Sequence, residues 1–417
     1  MNRNSQSMWG RCGWRHLAVA ILAGLTFCLA PCQSARAGEL IEYDTPYYTI
    51  RTDMPKDDVR EVAVRVTSMH DEYVRIAKPF MTKLPKKMPL NLYCSVKDFI
   101  AAGGDPYHGG YFSPKDQALL IRARKSAGDA FLWRTIQHEA FHQFSYPFSR
   151  KIPMWASEGL ADYFGEGIWT GSGLVTGAIS PGRLKATQAE ITGKQMLSFQ
   201  DMTAISHADW NKAVGSPQSR NYNQAWAMVE FLMCANNGAY HDAFVGFLRE
   251  LAQVDRGPTS ASAPAEPKSW QDVFVAQFKK SPEDVQAEYA KWWLSLGPNP
   301  TRDIYTRAMV ETLTAFLARS YDANQRFRDV REFLTAGANG QVRIKQEFLH
   351  WLPSDLLRDS VKEAMKHREW SLQSDSGGQP KLVLAERGGS TFTGTFTLSG
   401  QDPPKVEVTV TPADAGR

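Results

Sequence analysis

The chain has 417 residues, 43% of them hydrophobic and 22% charged, with 48 basic against 44 acidic side chains. That is enough apolar material to bury ordinary cores. Five cysteines are too few to staple a chain of this length, and the small charge imbalance gives no reason to expect nucleic acid or anionic lipid as a partner.

The first segment reads as a secretory signal peptide over residues 1–37. Arg3, Arg11 and Arg15 make a basic start, Leu17 to Ala30 is an apolar stretch, and Ala35-Arg36-Ala37 offers a small-x-small cleavage site before Gly38. An uncleaved anchor is the less favoured reading, because the apolar run is short for a membrane span and a cleavage site follows it. Phe27 and Pro31 stand directly before Cys28 and Cys32, a poor context for lipidation. Cleavage near Ala37 removes four arginines and leaves 44 basic and 44 acidic residues, so the basic balance belongs to the signal. The expected destination is the periplasm or beyond, with no stable membrane insertion afterwards, since no later apolar run is long enough to span. Of the cysteines only Cys94 and Cys234 then remain, and an exported chain would allow them to pair or to stay as thiols.

Beyond the signal, Tyr-Tyr-Thr-Ile alternation predicts a strand within 46–52, and Val59, Val62, Val66, Met69, Tyr73 and Ile76 predict a helix over 58–77. A second strand is expected at 89–95 and a third at 117–124, the latter as a sheet edge to which an extended peptide adds, with an interior strand as the alternative. Gly109 and Gly110 precede it, as a turn or a flap. From about residue 130 a helix carries His138-Glu139-Ala140-Phe141-His142. Two histidines four positions apart project from one face of a helix, so both imidazoles reach a single ion, and Glu139 falls beside the ion's open position.

Hydrolytic zinc uses three protein ligands and leaves a fourth position for water, so a third donor is required. Tyr146-Pro147 and Lys151-Ile152-Pro153 allow the first helix to stop, and Trp155 to Phe164 reads as a second helix carrying Glu158 and Asp162 at i, i+4. Glu158 is the expected third ligand. Asp162 is the expected acceptor for the free N–H of a ligating imidazole, which fixes its tautomer. Taken singly, a helical histidine or an acidic pair is more often a surface or packing feature; together at this spacing they point to a metal site.

After residue 165 the chain is glycine-rich and irregular through Gly182, then helical around 223–233 with Ala225, Met228, Val229 and Leu232 as an apolar stripe. Tyr222, at the head of that helix, is the candidate donor to a developing oxyanion, with His207 and His241 as alternatives. Residues 255–268 read as a loop or linker. Ser281-Pro282-Glu283-Asp284 is a helix start that leads to Tyr289, Trp292 and Trp293, and Gly297-Pro298 ends that part of the chain. Helices are expected at 302–320 and 354–369, and period-two alternation over 381–410 predicts a small β unit.

The HEAFHQF and PMWASEGLADYF segments together resemble the gluzincin branch of the zincin metallopeptidases, most closely the bacterial peptidase-MA-like families of unknown function. The likeness runs from about Pro46 to Leu296, and its specific part lies within 131–164. It implies an α+β zincin-like fold, a small mixed sheet plus a mostly helical lobe, for a catalytic domain taken as 38–297; the chain's own pattern then gives a helical extension at 298–370 and a small β-rich unit at 371–417. It implies Zn²⁺ on His138, His142 and Glu158, Glu139 as general base, Asp162 behind the ligands, and a peptide or protein as substrate. A catalytically inactive zincin-like envelope scaffold and a zinc-dependent amidase acting on other amides are the alternative functions. The sequence sets no oligomeric state and no preference between endo- and exo-cleavage.

Overall fold

A computed structural model describes residues 40–78, 87–123, 130–149, 151–212, 220–253, 269–338, 342–344, 347–349, 362, 366, 369–386, 389–398 and 404–412. The segment expected to be a signal peptide, the stretch expected to be a linker at 255–268 and most of the helix expected at 354–369 lie outside the described residues. The fold class is α+β.

The N-terminal sheet is built from β1 (Ile41–Asp44), β2 (Tyr48–Thr52), β3 (Met88–Tyr93), β4 (Gly110–Ser113) and β5 (Ala118–Arg122), in the order β1-β2-β3-β5-β4. β2, β3 and β5 run parallel, with β1 and β4 antiparallel at the two edges. The parallel β2–β3 step requires a crossover, supplied by α1 (Lys56–Ala77), whose Val59, Val62, Val66, Met69, Tyr73 and Ile76 are all buried in the main core.

This order corrects the expectation for 117–124. β5 is an interior strand, and the sheet edge next to the motif helix is β4. The cause is legible in the side chains of β5: Leu119 and Ile121 enter the main core, while Ala118 and Leu120 pack with Phe99 of α2 (Val96–Ala101) on the other face. A strand apolar on both faces is covered on both and belongs inside a sheet.

The two motif helices follow, α3 (Ala130–Ser149) and α4 (Met154–Gly165). α3 runs past the expected stop at Tyr146-Pro147. Pro147 lies in its last turn, where the missing N–H removes one bond and the chain is about to leave the helix in any case. The stretch expected to be irregular holds a short hairpin, β6 (Ile168–Trp169) with β7 (Leu174–Val175). The helical lobe continues with α5 (Pro181–Thr192), α6 (Phe199–Ala204), α7 (His207–Lys212), α8 (Arg220–Gly238), α9 (His241–Gln253), α10 (Trp270–Phe278) and α11 (Pro282–Ser295). α8 is interrupted at Ala235, Asn236 and Asn237, the last two in left-handed geometry, which Asn tolerates better than most residues. α11 starts with a capping box, Ser281 and Asp284 each satisfying the other's backbone N–H, with Pro282 in the first turn.

The C-terminal part consists of α12 (Arg302–Asp322), α13 (Val330–Ala338), a strand pair of β8 (Val342–Ile344) and β9 (Glu347–Leu349), and an antiparallel meander of β10 (Trp370–Ser374), β11 (Pro380–Ala385), β12 (Thr391–Thr397) and β13 (Lys405–Thr411). α12 lies on the meander, and Leu313, Phe316 and Leu317 join Leu382, Phe392 and Phe396 in a second core. Gly394 permits that contact: a Cβ there would stand 2.0 Å from Thr314 Oγ1. Polar contacts tie this part to the β6–β7 hairpin. Thr170 Oγ1 donates to Glu311 at 2.7 Å, Arg319 Nη2 to the Gly171 carbonyl at 2.7 Å, and Ser172 Oγ to the Pro404 carbonyl at 3.0 Å.

Cys94 and Cys234 form no disulfide; the Cys234 sulfur instead lies 3.8 Å from the Tyr163 hydroxyl. Among the described residues no helix is long and apolar enough to cross a membrane.

Candidate metal centre

α3 is fixed on both sides of its motif by buried glutamines. Gln137 Nε2 donates to the carbonyls of Phe164, Gly165 and Gly167 at 2.9 to 3.1 Å, and its Oε1 accepts from Arg65 at 3.1 Å. Gln143 Nε2 donates to the carbonyls of Pro89 and Gln117, each at 2.9 Å. The first set ties the helix to the end of α4, the second to the sheet. α4 is pressed equally hard against α8: a Cβ on Gly159 would stand 2.4 Å from the Ala225 carbonyl oxygen, so only glycine allows this approach between the two helices.

That packing brings three donors together. His138 Nε2 and His142 Nε2 are 3.1 Å apart, and Glu158 Oε2 is 3.4 Å from each. A tetrahedral zinc with bonds of about 2.05 Å places its ligand atoms about 3.3 Å from one another. The spacing therefore fits a small tetrahedral cation, and the set of two imidazoles and one carboxylate suits zinc chemically. Among the described residues this is the one group of three such side chains close enough to share an ion.

Asp162 Oδ1 lies 2.9 Å from His138 Nδ1. A carboxylate only accepts, so Nδ1 carries the hydrogen and the Nε2 lone pair of the neutral ring is left to face the other donors. Burial disfavours a charge on His138, but Asp162 and Glu158 outweigh it and hold the imidazole well above its ordinary range. Burial likewise acts against ionisation of Glu158, yet the two histidines keep it well below the usual carboxylate range. Asp162, also opposed by burial, is brought down to about 2 by His138 and Arg183. Protons and a cation thus compete for the same cluster, and metal affinity falls as pH falls.

Glu139 stands outside the trio. Its Oε2 accepts the backbone N–H of Phe112 at 2.9 Å, which ties it to the edge strand β4. It lines a cavity of about 430 Å³ together with His142 and Glu158. The walls are mostly apolar, Phe112, Tyr146, Ile152, Met154 and Ile205, with His207 at the rim.

The three oxyanion candidates fall differently. Tyr222 packs edge-on against Trp210, ring centroids 5.3 Å apart. Its phenol is pushed up by burial and by the charges of Glu158, Asp162 and Glu139, which keeps the O–H protonated near these carboxylates. His207 lines the cavity. His241, at the head of α9, bonds to its neighbour Asp242 at 3.1 Å, and neither it nor Tyr222 is among the cavity's lining residues.

Sequence reasoning did not find Arg183. Its Nη2 donates to Asp162 Oδ2 at 2.7 Å, its Nε to Glu166 at 3.1 Å and its Nη1 to Asn223 at 3.3 Å. The signal available was slight, an arginine in the first turn of a helix after an irregular stretch. The Phe112 N–H is a backbone group and carries no residue-type signal at all.

Residues 133–257 match the model of a family described as "Protein of unknown function (DUF1570)". The matched segment contains the His138, His142 and Glu158 cluster together with Glu139, Asp162, Arg183 and Tyr222. No curated protein matches the chain.

Proposed function

We propose that this chain is an exported zinc-dependent hydrolase of the gluzincin type, acting on peptide bonds. The observation that carries the reading is the convergence of His138 Nε2, His142 Nε2 and Glu158 Oε2 within 3.1 to 3.4 Å, with a carboxylate that is not part of the trio on the same cavity wall. When bound, zinc polarises the scissile carbonyl and lowers the pKa of water toward neutrality.

The rest of the chemistry falls to the chain's own groups. Glu139 takes a proton from the attacking water and returns it to the leaving amine, and the Phe112 N–H holds its carboxylate in the cavity wall. His207 lines the cavity and is one candidate donor to the carbonyl oxygen where negative charge develops, and Tyr222, whose phenol feels the charges of Glu158 and Glu139, is the other; one well-placed donor contributes about 3 kcal/mol of barrier reduction. Asp162 keeps His138 in the tautomer that binds metal. Phe112 and the following Pro114 at the edge strand β4 line the cavity, and the edge groups of β4 other than the Phe112 N–H offer an extended backbone main-chain hydrogen bonds, which supports peptides over small amides.

The test combines zinc analysis with digestion of a peptide library by the chain lacking residues 1–37. The expected result is about one zinc per chain and cleavage of peptides. Glu139→Gln should keep the zinc and lose at least a thousandfold in turnover, the scale on which removal of a catalytic base acts. Loss of zinc together with turnover would place Glu139 among the ligands or in the structure. A zinc-loaded chain that cleaves no peptide would leave the scaffold or amidase reading in its place.

A further inference from the structure

Arg183 lies on no motif, yet it is the most thoroughly engaged side chain around the cluster. Its guanidinium contacts Asp162 on α4, Glu166 at the C-cap of α4 and Asn223 on α8, and lies 4.9 Å from the Trp226 ring. Glu166 is shared with Arg134, at 2.7 Å. Asn223 is itself held, its Nδ2 donating to Thr187 at 3.3 Å and to Glu190 at 3.0 Å on α5. The backbone of Arg183 is fixed as well, its N–H donating to Ser180 Oγ, the cap of α5, at 3.3 Å.

We infer that Arg183 is a positioning residue for the cation site, clamping the Asp162 carboxylate so that its second oxygen is aimed at His138 Nδ1. The inference rests on the zinc reading above and extends it by one layer. With a single bond to the imidazole, a carboxylate can rotate about its terminal torsion, which is broad and has no deep minimum. A second bond on the far oxygen removes that freedom. Here the two oxygens of Asp162 are divided between His138 at 2.9 Å and Arg183 at 2.7 Å, so the plane of the carboxylate and the direction of the imidazole are set together. The guanidinium is suited to this because its planar fork sends N–H groups in several fixed directions at once. One edge meets Asp162, another Glu166, and the third nitrogen meets Asn223. A lysine has its three donors on one nitrogen and cannot span all three partners.

The arrangement makes a relay with a defined order: Asn223 and Glu166 hold Arg183, Arg183 holds Asp162, Asp162 holds His138. Removing Arg183 should therefore act on the metal only through Asp162. That order is measurable as a double-mutant cycle in zinc affinity, read by competition with a chromophoric chelator, with the fold of each zinc-free variant checked by circular dichroism. Asp162→Asn is expected to weaken zinc binding 10- to 100-fold, the usual cost of removing a group behind a ligand. Arg183→Met is expected to cost about tenfold, and Arg183→Lys, which restores one contact, about threefold. In the Asp162→Asn background both substitutions at 183 should change affinity less than about twofold, since their route to the metal is already cut.

Losses that multiply in the double variants would show that Arg183 acts on the site by another path, and the inference fails. Wild-type affinity in Arg183→Met would overturn it equally. If Arg183→Met does not fold, the Arg183→Lys arm carries the same cycle by itself. The wild-type measurement separates this question from the one before it: a chain that binds no zinc removes the functional reading, whereas a chain that binds zinc with Arg183 uncoupled from Asp162 removes only the present proposal.

Discussion

Glu230 places a carboxyl in the middle of α8 at 1% exposure, and one of its oxygens has no hydrogen-bond partner. Burial pushes its pKa from 4.5 up to about 7. The unfolded chain releases this proton near 4.5 and the folded chain holds it until about 7. Stability from this group is therefore intact below pH 4.5, declines as pH rises toward 7, and is flat above. The full difference is on the order of 3 kcal/mol. Glu230→Gln keeps the shape and removes the charge, so it should raise the melting temperature at pH 8 and change it little at pH 5. An equal effect at both pH values would mean that ionisation of Glu230 is not what the fold opposes. The same physics separates Glu230 from Asp162, which is also buried but is paired with His138 and Arg183 and stays ionised.

Among the elements, the contact of α4 with α8 sets the position of Glu158. Its neighbour Gly159 faces the Ala225 carbonyl with no room for a methyl group. Gly159→Ala should force the two helices apart, cost about 1 to 3 kcal/mol of stability by overpacking, and weaken zinc binding by moving Glu158 relative to His138 and His142. A thermal melt and a chelator competition on the same sample check both parts; unchanged values in both would mean the helices separate freely. This glycine stood inside the Glu-Gly-Leu-Ala-Asp run, where its spacing from Glu158 was visible but the reason for it was not, since the reason is a carbonyl 66 residues away. The pattern holds for the elements generally. α1, α11 and the strand around Thr393 follow from side-chain period alone, because each buries one face, whereas α4 is buried nearly all round. The place of β5 inside the sheet was also written in Ala118-Leu119-Leu120-Ile121, an unbroken apolar run rather than an alternation. β4, four residues with two of them glycine or serine, has no period to read. Arg183 and Asn223 were illegible for a different reason: their role depends on which helices meet, and helix contacts are not local.

For the molecule as a whole, the two cores meet across polar groups rather than across an apolar face. Glu311 and Arg319 on α12 bond to Thr170 and the Gly171 carbonyl in the β6–β7 hairpin, and all four residues are buried. Each is a buried hydrogen bond with one ionisable partner, a class that contributes about 1.5 to 3 kcal/mol per bond. The two cores should therefore unfold together. Calorimetry of the chain lacking residues 1–37 is expected to give one transition, and Arg319→Met to lower it; two separated transitions in the unaltered protein would show that the seam does not couple them.

The hairpin at Thr170 to Gly173 also divides the metal centre along the chain. His138, His142, Glu158 and Asp162 precede it, while Arg183 and Asn223 follow it. A nick at this turn would leave every donor of the proposed cation site on one fragment and the brace for Asp162 on the other. The capacity to coordinate would then be inherited by the first piece, and its precision would depend on the second remaining docked.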